Sequence, residues 1–248
     1  MKTLREIVEG SGNIVFFGGA GVSTESGIPD FRSEAGLYNA QSKYGRPPES
    51  LISHSTFLAE PELFFDYYKH NLIFPDAKPN AAHRALAKLE AEGKLTAVVT
   101  QNIDDLHRKA GSDRVYELHG SVNRNYCMDC GATFDLAYIL DEAHCKDKNG
   151  HTGNIPYCDR CGGTVRPDVV LYEEPLDQDV VLHAVKAISD ADVLIVGGTS
   201  LVVYPAAEYL RYFRGKHMVL INKTKTGVDG RADLVIREPI GEVLSAFL

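Results

Sequence analysis

The sequence predicts an α/β protein built on a doubly wound parallel sheet, with a second, smaller domain inserted into it. Short buried apolar runs alternate with amphipathic helical patterns along most of the chain, and this alternation is typical of parallel βαβ units. Two stretches interrupt the alternation, 34–75, which is rich in aromatic residues, and 121–164, which contains the cysteines. We expect these two stretches to come together as the smaller domain.

Apolar spacing and turn residues mark the predicted elements along the chain. Thr3 and Glu6 fit a capping box at the first helix, and Gly93 is a good stop for the helix before it. The expected strands or extended segments are 14–17, 95–100, 115–118, 165–171, 192–196, 217–221 and 233–236. The expected helices are 55–59, 62–71, 80–92, 177–188, 205–214 and 241–248.

The composition is that of a globular protein with an adequate core. Hydrophobic residues make up 44% of the 248 residues, and no apolar run approaches the roughly 20 residues that span a bilayer. A net charge of −8 without a long single-sign run argues against a nucleic-acid binder. Charges interrupt the apolar residues at the N-terminus, which excludes a signal peptide. We therefore expect a cytoplasmic protein without membrane or direct nucleic-acid partners.

The loop after the first strand allows the backbone to approach a ligand closely. Glycine or alanine occupies positions 18–21, so backbone N–H groups there could contact a phosphate. The dinucleotide fingerprint is only partial, because Thr24 replaces its third glycine and the acidic residue expected about 20 positions later cannot be placed. A dehydrogenase is therefore disfavoured, and a purely structural turn remains an alternative. Asp30, Phe31 and Arg32, later in the loop, exceed what a simple phosphate site needs.

Polar residues follow five of the predicted strands. The carboxyl ends of parallel strands lie at one edge of a sheet, where open α/β sheets bind their ligands. Thr199 and Ser200 could in addition cap the following helix. We expect one crevice lined by the five clusters, which are Gly18–Ser23, Gln101–Asp104, His119, Gly197–Ser200 and Asn222.

His119 is the candidate general base, because it follows a strand and an imidazole of near-neutral pKa can take a proton from a hydroxyl. His107 is the alternative, but it falls within the next predicted helix. Asn102 and Asp104 stand two positions apart, which directs both to one side of an extended chain. Asp104 could also cap a helix, and the two roles can coexist.

Four cysteines in two C-x-x-C pairs predict a structural zinc site. Each pair forms a tight knuckle, and four thiolates complete a tetrahedral Zn²⁺ site with no open position. Such pairs suit a reducing compartment better than a disulfide framework does. The 27 residues between the pairs indicate an inserted hairpin or helix, and Cys145 within it is expected not to bind the metal. The four ligands would be Cys127, Cys130, Cys158 and Cys161.

Taken together, the motifs resemble those of bacterial sirtuins, the NAD-dependent protein-lysine deacylases. The resemblance runs from about residue 10 to the C-terminus and follows the family's order. Besides the two C-x-x-C pairs, it rests on Gly19–Ser23, Ser26–Arg32, Thr100–Asp104, Leu118–Gly120, Arg166–Val170 and Gly198–Leu201.

The resemblance implies a Rossmann-like NAD-binding domain of residues 1–33, 76–120 and 165–248. The small domain would combine a helical module, 34–75, with a zinc-binding module, 121–164, holding one Zn²⁺ per chain. NAD and acyl-lysine would enter the cleft from opposite sides. The residues implied to bind NAD are Ala20, Gly21, Thr24, Phe31, Arg32, Gln101, Asn102, Ile103, Asp104, His119, Thr199, Ser200, Asn222 and Ile240.

The resemblance also implies the reaction. The amide oxygen of acetyl-lysine would displace nicotinamide from NAD, His119 would take a proton from the ribose diol, and hydrolysis would give lysine and O-acetyl-ADP-ribose. Asn102 would orient the ribose or a water molecule. The acetylated protein or peptide would bind as an added strand between two apolar segments. These segments are Val169, Val170 and Leu171 on one side and Leu201 and Val202 on the other.

The sequence departs from the family pattern at three places, of which the first is a minor change in the loop and the other two concern the substrate. Ser33 stands where many members have glycine, and Tyr172-Glu173-Glu174 replaces the commoner Phe-Gly-Glu near the peptide. Members that prefer acidic acyl groups carry a Tyr-x-x-Arg pair, whereas here Gln41 follows Tyr38 at that spacing. Acetyl and other neutral acyl groups are therefore expected.

Two further functions would use the same NAD site. One is transfer of ADP-ribose to a protein acceptor, and the other is a non-catalytic NAD-sensing protein with a zinc-stapled module. The joint presence of His119, Asn102 and Asp104 favours an enzyme, because a binding module has no use for the base.

Overall fold

The computed structural model describes residues 2–30 and 41–248, so the predictions for Phe31, Arg32, Ser33 and Tyr38 lie outside the described residues. The strands in chain order are β1 (Ile14–Gly18), β2 (Leu95–Thr100), β3 (Val115–Glu117), β4 (Gly120–Cys127), β5 (Thr133–Phe134), β6 (Cys145–Lys146), β7 (Ile155–Pro156), β8 (Val165–Val169), β9 (Val193–Gly197), β10 (His217–Ile221) and β11 (Leu234–Ile236). The α-helices are α1 (Leu4–Glu9), α2 (Pro48–Leu51), α3 (His54–Ala59), α4 (Pro61–Asn71), α5 (Ala81–Ala91), α6 (Leu106–Lys109), α7 (Leu136–Leu140), α8 (Gln178–Asp190) and α9 (Ile240–Leu244). None of the helices in these ranges is long and apolar enough to cross a membrane.

A six-stranded sheet in the order β3-β2-β1-β9-β10-β11 forms the centre of the molecule. Every neighbouring pair in it is parallel. This order is typical of dinucleotide-binding folds, and it reverses direction between β1 and β9. The predicted doubly wound, Rossmann-like sheet is therefore confirmed, and its expected ligand crevice lies at the carboxyl ends of β1 and β9.

Helices cover both faces of this sheet because the side chains of β1 alternate between two apolar cores. Ile14 and Phe16 are fully buried in one core, against residues of α1, α5 and α9. Val15 and Phe17 are fully buried in the other, against residues of α8. The predicted helix 205–214 is a 3-10 helix, Ala206–Tyr212, with hydrogen bonds that span three residues rather than four. Its residues pack into the second core.

The two interrupting stretches share one apolar core, as predicted. Phe57, Phe64 and Phe65 of the helical stretch pack there with Ile139 and Ile155 of the cysteine-containing stretch. The predicted insertion between the C-x-x-C pairs contains both a helix, α7, and an antiparallel hairpin of β6 and β7. The small domain thus has its own interior, separate from the two cores of the large sheet.

Strand β8 departs from the predicted domain division. Residues 165–169 were assigned to the large domain, but β8 pairs with β4 in a three-stranded antiparallel sheet, β5-β4-β8. Strand β4 leads into the first C-x-x-C knuckle, and β8 follows the second. Pairing of these two strands therefore closes the zinc-binding module. We propose that residues 165–169 belong to the small domain, and the other boundaries stay predictions.

Two histidines are buried against each other beneath the first face of the sheet. The ring centroids of His83 on α5 and His107 on α6 lie 4.7 Å apart. His83 Nδ1 accepts a hydrogen bond from Asn80 N–H, so the ring proton is on Nε2. That Nε2 and both ring nitrogens of His107 have no hydrogen-bond partner among the described residues. Desolvation lowers the pKa of both rings, that of His83 to about 4.

We expect the free energy of unfolding to fall by about 2 kcal/mol between pH 7 and pH 5 because of the lowered pKa of His83 alone. Its pKa is about 4 in the folded protein against 6.5 normally, so in this window the unfolded chain binds a proton that the folded chain does not. Stability therefore falls as the pH falls from about 7 towards 4. Urea unfolding of the wild type and of His83→Gln at both pH values measures the difference. Equal pH-dependent losses in the two proteins would contradict the assignment.

Candidate active site

A cleft of about 520 Å³ opens at the carboxyl ends of β1, β2 and β9. This volume is in the range of small-molecule and cofactor sites. Four of the five predicted polar clusters line it, and His119 is among them. The small domain contributes its apolar wall, which includes Ile52, Tyr67, Tyr68, Leu72 and Phe74.

The hydroxyl of Ser23 joins two of the loops that line the cleft. It donates to Asp104 Oδ2 at 2.6 Å and accepts from Asn102 Nδ2 at 3.1 Å. Asn102 and Asp104 therefore point to the same group, as their spacing predicts. Asp104 Oδ1 also accepts from the N–H of Leu106 at 2.9 Å, at the start of α6, whose N-cap is the neighbouring Asp105. Desolvation raises the pKa of the Asp104 carboxyl, although both hydrogen bonds oppose that shift.

His119 is oriented by a carbonyl at the end of the neighbouring strand. Its Nδ1 lies 2.8 Å from the carbonyl oxygen of Gln101, which can only accept, so Nδ1 carries the proton. Nε2 is left with a free lone pair. Gln101 is fixed in turn, since its N–H donates to Gly18 O and its Nε2 to Thr199 Oγ1. Desolvation lowers the pKa of His119, and the bond to Gln101 offsets only part of this shift.

Two glycines bring the loops after β1 and β9 into direct contact. Gly21 N–H donates to Gly198 O at 2.8 Å, and a Cβ on Gly21 would lie 2.8 Å from Gly198 Cα. The N–H of Gly21 is thus used between the loops and is not free for a phosphate. Ala20 lines the cleft, and no described residue accepts from its N–H. This donor, beside the N-terminal end of a short 3-10 helix, fits an anionic group such as the NAD phosphates.

The edge of β8 lies beside the candidate base. Val170 N–H donates to His119 O at 3.0 Å, and Val169, Val170 and Leu171 all line the cleft. β8 is the outer strand of its sheet, with β4 on one side. The N–H of Leu171 is already bonded to the carboxylate of Glu174 at 2.9 Å. Because the N–H groups of Val170 and Leu171 are both occupied, a peptide strand added at this edge would pair through the backbone of Val169.

Several predicted contact residues lie outside the lining of the cleft. Asn222 uses its side-chain amide on Thr224 O, and Ile240 is buried in the core of the first face. Leu201 is buried in the core of the second face, whereas Val202 is exposed. Their roles towards NAD and peptide stay predictions. The residues that do not line the cleft are Gly21, Thr24, Leu201, Val202, Asn222 and Ile240.

The four paired cysteines form one cluster in the small domain. Their Sγ atoms all lie within 4.8 Å of one another, with 3.4 Å between Cys127 and Cys161 and 3.7 Å between Cys130 and Cys158. Zn–S bonds of about 2.3 Å in a tetrahedron place sulfurs about 3.8 Å apart, so the cluster fits zinc. Cys145 is outside it and contacts Lys69 Nζ at 3.1 Å.

Comparison with known proteins identifies the family. A sequence profile of the Sir2 family matches residues 19–205. The chain is 59% identical to an NAD-dependent protein deacetylase of Clostridium acetobutylicum and 60% identical to one of Clostridium perfringens, across 100% of this chain and 98% of each relative. The chain belongs to the Sir2 family. The predicted resemblance to bacterial sirtuins is therefore confirmed.

Solved Sir2 structures share the fold of this Sir2 chain. A Sir2 complex with a p53 peptide and NAD⁺ superposes with a TM-score of 0.85 at 36% identity, over 99% of this chain and 97% of that one. A Sir2 protein bound to an acetylated peptide gives 0.84 at 35% identity, with the same coverage. The likeness extends over both domains.

Two residues that the sequence did not single out, Ser23 and Asn80, hold the loops of the Sir2 site by hydrogen bonds. Ser23 was placed in a polar cluster but not among the contact residues, although it joins Asn102 to Asp104. Asn80 caps α5 with its Oδ1, while its Nδ2 donates to Val22 O at 2.7 Å and Ser26 Oγ at 3.0 Å. The capping role was predictable from its place before a helix. Its hydrogen bonds to the loop after β1 were not predictable from the sequence.

Proposed function

We propose that His119 is the general base of the deacetylation that this Sir2 chain catalyses, with Gln101 holding it in the reactive tautomer. The activity, NAD-dependent protein deacetylation, follows from membership of the family and from full-length relatives with that name. The observation that supports the role of His119 is its Nδ1–H···O=C bond, which leaves Nε2 as the proton acceptor in the cleft.

NAD supplies the glycosidic bond to nicotinamide, whose cleavage activates the ribose towards the acetyl oxygen. We assign its phosphates to Ala20 N–H and to Thr199 and Ser200, which line the same part of the cleft. Asp104 and Ile103 would hold the nicotinamide carboxamide. The predicted NAD contacts of Gly21, Thr24, Phe31, Arg32, Asn222 and Ile240 belong to the same proposal.

Acetylated proteins or peptides are the second substrate. We assign the peptide backbone to the edge formed by Val169 and Val170, next to Leu171, and opposite Leu201 and Val202. The hydrogen bond between Val170 N–H and His119 O supports this assignment, because a strand added at this edge would lie beside the base. His119 Nε2 would then take the proton of a ribose hydroxyl, and Asn102 would orient that hydroxyl or the attacking water.

One experiment tests the function and its rival. The protein is incubated with NAD and an acetyl-lysine peptide, and nicotinamide and O-acetyl-ADP-ribose are quantified. Nicotinamide release that depends on the acetylated peptide, with O-acetyl-ADP-ribose as product, supports the deacetylase. Release without acetyl-lysine, together with ADP-ribose attached to an acceptor protein, supports the ADP-ribosyltransferase instead.

We also place the chain in the cytoplasm, a proposal supported by its four clustered thiols, which suit a reducing compartment.

The pH dependence of deacetylation should report the lowered pKa of His119. A general base must be neutral, and desolvation lowers its folded pKa below the ordinary value of 6.5. The rate should therefore stay high as the pH falls through 6.5, and the acidic limb of kcat/KM should have its midpoint below that value. A pH profile measured with an acetylated peptide gives this midpoint. A midpoint clearly above 6.5 is not compatible with the desolvated environment of the ring.

A further inference from the structure

We propose that Glu173 makes this enzyme prefer substrates with a lysine or arginine close to the acetyl-lysine, an inference that rests on the proposed peptide site and names its substrate class. Glu173 lines the cleft, three residues after Val170, whose backbone contacts the candidate base. It was one of the departures noted in the sequence. The structure shows how its carboxylate is held and what surrounds it.

The backbone of Glu173 adopts a conformation that favours glycine. Its φ is +78°, in the left-handed region, where a non-glycine side chain is strained. The side chain is anchored nevertheless, because the N–H of Ser55 donates to Glu173 Oε2 at 2.9 Å and the Ser55 hydroxyl contacts the same oxygen. A strained residue with a fixed carboxylate at a substrate cleft suggests a functional role for that carboxylate.

No ion pair with a described residue balances the charge of Glu173, although the nearby imidazole of His54 interacts with it electrostatically. Both hydrogen bonds come from Ser55, a neutral residue, and no ion pair involving Glu173 occurs among the described residues. The adjacent Glu174 contrasts with it. Glu174 accepts from Arg166 at 2.9 Å and contacts His54 at 2.8 Å, so its charge is balanced inside the protein. Glu173 is therefore the carboxylate available to a ligand at this end of the cleft.

The remaining charges of the cleft do not attract an acidic peptide. The part of its lining that the structure describes contains no lysine or arginine. Besides four tyrosines, its titratable residues are carboxylates and imidazoles, namely Asp30, His70, Asp104, His119, Glu173 and Glu174. The whole chain carries a formal net charge of −8. A cleft with this balance is complementary to a basic segment.

The reach of Glu173 limits where the basic residue must be. The backbone turns after Leu171, where Glu174 N–H donates to Leu171 O, so Glu173 lies at most about 10 Å from Val170 along the chain. A lysine or arginine within three positions of the acetyl-lysine can span that distance with its side chain. Partly exposed ion pairs of this kind change binding by about two- to fivefold.

The test measures kcat/KM for deacetylation of peptides that differ only by lysine or glutamate at each of the three positions on either side of the acetyl-lysine. We expect the wild type to favour lysine by about fivefold at one or more of these positions, mainly through KM, since the charge lies away from the reacting bond. The preference should weaken at high salt. In Glu173→Gln it should disappear, whereas Glu142→Gln, an exposed glutamate of the cysteine-containing insertion, should keep it.

A second variant separates the effect of the Glu173 charge from the effect of its strained backbone. Glu173→Gly relieves the left-handed strain and also removes the carboxylate, so it should be at least as stable as the wild type and should lack the preference. A preference retained in Glu173→Gln or Glu173→Gly would overturn the proposal, as would equal rates on both peptide series. If the wild type deacetylates none of the peptides, the proposed function itself fails. Deacetylation without preference refutes only the role of Glu173.

Discussion

Replacing His119 by alanine should lower kcat/KM for deacetylation by about 100- to 10,000-fold, the range that a general base contributes. Its Nδ1 is committed to Gln101 O, so Nε2 is the atom whose loss matters. Asp104 is not placed to take over, because we assign its carboxyl, already bonded to Ser23 and Leu106, to the nicotinamide end of NAD. The measurement is initial-rate kinetics with saturating NAD, together with calorimetric titration of NAD to show that the variant still binds it.

A matched control separates loss of the base from a general effect of losing an imidazole. His183 is exposed on α8, where its Nδ1 contacts Asp179 O, and it does not line the cleft. His183→Ala should therefore deacetylate at the wild-type rate. If His119→Ala kept more than about a tenth of the wild-type rate, another group would have to serve as the base and our assignment would be wrong.

Replacing Cys130 by serine should release the zinc and unfold the small domain. Structural zinc contributes about 10–16 kcal/mol in zinc-finger peptides, as much as the whole stability of a typical domain. Cys130 is the suitable ligand to change because it is exposed, so the substitution creates no cavity in the core. Metal analysis and thermal unfolding measure the effect. We expect about one zinc per wild-type chain and far less in the variant, with a lower Tm and no deacetylation.

Cys145 provides the control for this experiment. It is a buried cysteine of the same insertion, but it lies outside the sulfur cluster. Cys145→Ser should keep one zinc per chain even if the loss of a buried thiol lowers the Tm. Zinc retained by Cys130→Ser, or lost from Cys145→Ser, would show that the four-thiolate site is assigned to the wrong residues.

The features that the sequence predicted well depend on local signals. Apolar runs followed by glycine or small polar residues located β1, β2, β9 and the loops after them. The spacing of each C-x-x-C pair located the zinc cluster, because a knuckle is formed within a few residues. His119 was singled out from its position directly after a strand, and it lines the cleft, although its role as the base stays a prediction. In each case the residues that determine the geometry are close together in the chain.

The features that the sequence did not reveal depend on contacts between distant segments. Ser23 and Asp104 are 81 positions apart, and no pattern in either segment indicates that they share a hydrogen bond. Gly21 was predicted from composition to approach a phosphate, whereas its N–H is bonded to Gly198 O. A glycine indicates that something comes close, but not which partner. For the same reason Asn222 was grouped with the crevice, although its amide contacts Thr224 O.

Strand β8 shows the same limit at the level of a whole element. Its extended apolar pattern suits either sheet, and only the register with β4, Gly120 opposite Val169 and Cys127 opposite Val165, supports placing it with the small domain. Gly120 is required at this pairing because its φ is +76° and a Cβ there would clash with Asp168 O. The glycine was visible in the sequence, but its opposing strand was not.

The unpaired edge of β8 also affects how the protein behaves without substrate. An open strand edge can pair with the same edge of another molecule, and this is a common route to self-association and aggregation. Here the edge lies inside the cleft, where Val169 and Val170 share the lining with Thr199 and Tyr204 from the other side. A single flexible segment can enter such a space, whereas the edge strand of a second folded protein cannot. The recessed position therefore hinders pairing with another folded molecule, and in the proposed peptide site it leaves the edge accessible to a single extended segment.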